Sequence, residues 1–105
     1  METKNKEKRP PHEIVLEKIG KRSQAIIDQD WSDQTGAEMI RAKNMAVIHE
    51  LCIVLEEMII PPEHKAGVIV GLKRIRLANQ FQLLRDWLDA TVVFLEREEV
   101  VEKSS

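Results

Sequence analysis

The stretch from Gly36 to Ile60 constrains this chain more than any other. After Gly36 it contains neither glycine nor proline, so nothing in it interrupts a helix. Projected at about 100° per residue, its apolar side chains cover roughly half of the circumference. Ile40, Val47, Ile48, Leu51, Cys52, Val54, Leu55, Met58 and Ile59 lie on that arc. Lys43, Glu50 and Glu57 lie opposite, with His49 and Glu56 at one edge. A helix at the rim of a domain needs a narrower stripe. This one is expected at the centre, touching two or more neighbours, with Ile53 left over inside its polar arc.

The neighbours follow from the punctuation on either side. Pro10-Pro11 suits a helix start, because proline has the helical φ and lacks only an N–H that the first turn leaves unused. A first helix then runs from about Pro11 to about Gln29, with an apolar stripe of Val15, Leu16, Ile19, Ile26 and Ile27 and Ser23 in one place of it. Gly20 either weakens it or admits a close neighbour. Residues 30–36 form the first connection, and Thr35 with Glu38 fits a capping box for the second helix. Pro61-Pro62 ends that helix, since the residue before a proline is pushed out of the helical region. From Pro62 to about Val100 nothing forces a stop. The stripe Val68, Ile69, Leu72, Ile75 is rotated by more than a third of a turn from the stripe Leu77, Phe81, Leu84, Leu88, Thr91, Leu95. A break near Leu77–Asn79 lets both face one core, and Asn79 with Gln82 resembles a start signal for a fourth helix.

Composition supports the helical reading. The 105 residues are 43% hydrophobic with only four glycines and four prolines, too few breakers for the turns of an all-β domain. Net charge is −2, so no global attraction to nucleic acid or anionic membrane operates. No apolar run approaches a membrane span. One cysteine, Cys52, rules out an intrachain disulfide, and such usage suits a reducing cytoplasm.

No constellation of catalytic residues stands out, and no cofactor is indicated. His49 and Cys52 can share a helix face, but zinc needs three or four ligands and the position where a zincin motif needs its second histidine is Ile53. His12 and His64 sit at helix starts with no spacing that recruits them. Gly67 and Gly71, four apart in a helical context, read as close helix packing rather than a phosphate cradle. Lys73, Arg74 and Arg76 make the third helix locally basic, yet they do not align on one phosphate-tracking face. The row Ile40, Asn44, Val47, Leu51, Val54, Met58 is spaced 4, 3, 4, 3, 4, a heptad seam with one asparagine that can set oligomer register.

The sequence therefore predicts an all-α, compact bundle of three long or four shorter helices, with the option of a homodimer. Residues 1–9 form a flexible basic arm, 10–100 one helical domain and 101–105 a flexible tail. The function expected is a non-enzymatic protein–protein interaction module (a small regulator, adaptor or inhibitor) that acts through helix–helix contacts and pairs with itself. Ile53, Trp87, Leu84 and Trp31 are its candidate contact residues and Asn44 its register residue. The alternatives are a nucleic-acid-binding regulator using the basic arm with Lys73, Arg74 and Arg76, and, more remotely, a small helical enzyme.

Overall fold

A computed structural model describes residues 9–104, with side chains through Arg97. Residues 1–8, which hold most of the basic arm, lie outside the described residues. Four helices form: α1 Pro11–Ile27, α2 Gln34–Glu57, α3 Pro62–Ala78 and α4 Gln82–Ser104. The region after Pro62 is thus two helices rather than one. α4 also reaches Ser104, into the segment expected as a tail.

Local chemistry sets each boundary. α1 and α3 each begin at the second residue of a Pro-Pro pair. The α1–α2 loop is built on two aspartates. Asp30 accepts a hydrogen bond from the Ser32 N–H at 3.0 Å, which holds its carboxyl below the usual range. Asp33 caps α2 by accepting from the Gly36 N–H. The helix therefore starts at Gln34, one residue before the Thr35 expected as the cap. α2 ends at Glu57, earlier than Ile60, because Met58 already has extended backbone ahead of the prolines. Asn79 does not cap α4 through Gln82. It follows α3 in an extended conformation and accepts from the Phe81 N–H at 3.0 Å, a local turn that reverses the chain before α4 begins.

Side-chain pairs fix how the helices run. α1 and α2 are antiparallel, as the pairs Gln29–Ala37 and Arg22–Asn44 show. α3 and α4 are antiparallel through Arg76–Asp89 and Lys73–Glu96. α1 and α3 are parallel: His12 meets His64 near their starts and Ser23 meets Asn79 towards their ends. α2 and α4 are parallel through Arg41–Phe81, His49–Trp87 and Glu56–Thr91. Each helix packs on two others, and α2 and α3, though consecutive, sit on one diagonal. The smallest dimension, 19 Å, is about two helix diameters.

The core is aliphatic: Ile19, Ile26, Ile48, Leu55, Leu72, Leu84, Leu88 and Leu95 are all but sealed from solvent. Gly71 lets α1 and α3 approach, because a Cβ built there would lie 2.7 Å from Leu16 Cδ2. Gly20 meets Ile75 at ordinary contact distance, and Gly67 faces open space. α2 contacts α1 and α4, the two neighbours its broad apolar arc calls for, but like every helix of the bundle it has only two and is not central. Its arc is only partly used, however. Ile48, Cys52 and Leu55 are buried, whereas Ile40 is 53% and Ile59 97% exposed. Leu77, placed in the α4 stripe by its spacing, stands in solvent because the chain breaks two residues later.

Candidate functional site

The candidate contact residues divide once they are placed. Leu84 is 0% exposed and belongs to the core, so it cannot meet a partner. Its neighbour Leu83, one position round the helix, is 54% exposed instead. Leu83, Trp87, Ala90 and Phe94, spaced 4, 3, 4, make one row along the outer flank of α4. Trp87 is half-buried and lies against His49 of α2, ring centroids 4.6 Å apart. Ile53 stands one turn beyond His49 on that flank of α2 and is half-buried, not stranded among polar residues. The His49–Trp87 contact therefore joins the flanks of α2 and α4 into one face, with Leu83 and Phe94 as its exposed apolar members.

Trp31 sits apart, at the end of the bundle where both hairpin turns lie. Its ring is 6.4 Å from that of Phe81, and the Arg41 guanidinium lies over both, 5.2 Å from Trp31 and 4.6 Å from Phe81. Such cation–π contacts hold the two turns together. Ile27, Trp31, Asn79 and Phe81 border a cavity of about 260 Å³ there. Trp31 thus plugs the end of the bundle while keeping one edge in solvent.

Asn44 turns inward. It is buried, and its Oδ1 accepts from Arg22 Nη1 of α1 at 3.1 Å. Its Oδ1 is thereby engaged within the chain, on α1. The rest of its heptad row is left at the surface beside α1, with Ile40 and Val54 exposed and Val47, Leu51 and Met58 half-buried.

The basic residues of α3 are largely committed to α4. Arg76 Nε lies 2.6 Å from Asp89 Oδ1, and Lys73 Nζ 3.7 Å from Glu96 Oε2. Arg74 is exposed. Two of the three cations of the nucleic-acid alternative thus face carboxylates. Arg9, the one described residue of the basic arm, folds back on Glu13 and Glu17 of α1 at 3.1 and 3.0 Å.

Burial pushes the Cys52 thiol up to about 11, against a smaller opposing effect of a hydrogen bond with Thr91. The neutral thiol is a poor nucleophile and a poor metal ligand. Thr91 Oγ1 donates to Glu56 Oε2 at 2.8 Å, tying α4 to the end of α2. Among the described residues no group of three or more His, Cys, Asp or Glu side chains could hold a metal ion. Among them, too, no helix is long and apolar enough to cross a membrane.

One pairing escaped the sequence reading. His12 is buried, and its Nε2 lies 3.2 Å from His64 Nδ1. One ring must donate and the other accept, so at least one is neutral. A cavity of about 380 Å³, bordered by Glu13, Leu16, Glu63 and Gly67, opens beside them. Both histidines follow a Pro-Pro pair closely, which was visible. That the two helices run parallel, and so bring those starts together, was not. Comparison with family models, with curated proteins and with solved structures finds no match for this chain.

Proposed function

We propose that this chain is a non-enzymatic protein–protein interaction module that works through helix–helix contacts and pairs with a second copy of itself. The observation that carries the reading is the row Leu83, Trp87, Ala90, Phe94 on α4. It is apolar, continuous over three turns and adjoins Ile53 of α2, with Leu83 and Phe94 left in water. A row of this kind suits pairing across a two-fold axis, where the same surface meets itself and apolar chains have no charge to oppose. Asp86 and Arg97, beside the row on the helix surface at about 100° per residue, supply a charged rim of both signs. The single buried thiol of Cys52 fits a reducing compartment such as the cytoplasm.

Light scattering across a concentration series tests the reading. The wild-type chain is expected to give the mass of two copies. Leu83→Asp and Phe94→Asp should each yield a monomer with unchanged helical circular dichroism, since both positions are exposed. A wild-type chain that stays monomeric at high concentration overturns self-pairing. Dimers that survive both substitutions overturn the α4 row as its seat.

A further inference from the structure

We infer that a second face, the seam between α1 and α2, is a docking groove for an amphipathic helix of another protein whose apolar stripe is flanked by carboxylates. The groove has a volume of about 390 Å³ and is lined by Lys18, Lys21 and Arg22 of α1 and by Val47 and Leu51 of α2. Its floor is aliphatic and its α1 wall is wholly cationic. Ile40 and Val54 extend the apolar floor along α2, both exposed. In a chain of net charge −2, three cations on one wall with no acid lining the groove are a local concentration, not an average.

Glu13 and Glu17 of α1 are engaged by Arg9, Glu17 standing one turn before Lys21 on the helix. Glu50 and Glu57 of α2 share a row with Lys43 on the side of the floor away from α1, Glu50 standing one turn from both Val47 and Val54. Among the described residues Arg22 alone of the three cations has a polar partner, Asn44, and that contact anchors the wall to α2. Lys18 and Lys21 reach solvent from above the floor.

Charge then selects the occupant. A second copy presenting this same groove would set Lys18 and Lys21 against their own counterparts, and like charges across an interface oppose association. Single-stranded nucleic acid would use the cations, yet no aromatic side chain lines the groove for bases to stack on. A lipid surface would meet Ile40 and Val54 as its exposed apolar chains, whereas Val47 and Leu51 are half-buried in a seam between two helices that suits a ridge better than a plane. A third helix seats a ridge of side chains in such a seam. Carboxylates beside that ridge would reach Lys18 and Lys21.

The test uses the full chain and two synthetic helical peptides of equal length. Both carry a leucine seam at heptad spacing, flanked in one by glutamates and in the other by lysines. Fluorescence anisotropy of labelled peptide should show binding of the glutamate-flanked helix and none of the lysine-flanked one. Lys18→Glu with Lys21→Glu should weaken the former at least about tenfold, or about 1.4 kcal/mol, and both sites are exposed enough to leave the fold intact by circular dichroism. Val47→Asp is an independent variant that should remove binding through the floor. Equal binding of the two peptides, no binding of either, or indifference to the charge reversal overturns the proposal. Binding of phosphatidylserine vesicles or of single-stranded RNA without peptide binding overturns it equally. Light scattering of the charge-reversed chain separates this from self-pairing, which rests on Leu83 and Phe94 and should not change.

Discussion

Replacing each of the two α3 glycines by alanine isolates the close approach of α1 and α3. Both are interior helical positions, where alanine is favoured over glycine by about 1 kcal/mol. At Gly67 the new methyl meets nothing within 4 Å, so Gly67→Ala should deliver nearly all of that gain. For a domain of this size it corresponds to a rise in Tm of roughly 4–8 °C. At Gly71 the methyl would sit 2.7 Å from Leu16 Cδ2 and 3.4 Å from its Cγ. Ordinary carbon–carbon contact is about 3.5–4.0 Å, so the leucine tip must retreat by about 1 Å. Leu16 borders the cavity beside His12 and has somewhere to go, at a rotamer cost of about 0.5–1.5 kcal/mol. Gly71→Ala should therefore fall within about half a kcal/mol of wild type. In a Leu16→Ala background the same substitution should regain its full helical gain, a coupling of about 1 kcal/mol. Urea and thermal melts followed by circular dichroism at one protein concentration measure all four variants. If Gly71→Ala stabilises as much as Gly67→Ala, or the coupling is nil, α1 and α3 do not meet at Gly71 and the parallel packing is wrong.

Other expectations are simpler. Cys52 should resist alkylation by iodoacetamide in the native chain at pH 8 and react on unfolding, because its thiol is raised to about 11. The folded state then holds a proton that the unfolded state releases near pH 9, so the contribution of Cys52 to stability should be constant below pH 9 and decline by about 2–3 kcal/mol between pH 9 and 11; Cys52→Ala should remove that part of the decline. Asn79→Ala removes a donor to Ser23 Oγ at 3.0 Å and an acceptor for the Phe81 N–H, at a cost of about 1–3 kcal/mol by chemical denaturation. Ser23→Ala should cost less, since Asn79 Nδ2 also lies 3.4 Å from the Ser23 carbonyl oxygen. Leu84→Ala should destabilise by about 2–5 kcal/mol, and an unaltered midpoint would contradict its place in the core.

The fold was largely legible because helix period and proline punctuation are local signals. The swing of the apolar stripe between Ile75 and Phe81 favoured a break without excluding one long helix, and a break lies at residues 79–81. The breadth of the α2 arc demanded two neighbours, and α1 and α4 supply them. Properties that depend on which helices are adjacent were not legible. Leu83 and Leu84 are equivalent in hydropathy, and only the direction of the core tells the exposed one from the buried one. Asn44 sits on a heptad seam in sequence, yet Arg22, on a different helix, decides what its side chain does. Gly67 and Gly71 look alike in spacing, but Leu16 stands over only one of them. The approach of His12 to His64 across the fold depends on the parallel course of α1 and α3, which no local pattern specifies.

Because α2 and α3 sit on a diagonal, the stretch from Met58 to Pro61 is the covalent link between two antiparallel hairpins that otherwise meet through the packing of α1 on α3 and of α2 on α4. Ile59, almost wholly in water at 97% exposure, marks the natural place for a protease to nick the chain or for a permuted one to begin. A cut there severs no helix and leaves both antiparallel pairs intact. Two molecules can also trade hairpins across that joint, each α3–α4 half finding in a foreign α1–α2 half the surfaces it meets at home.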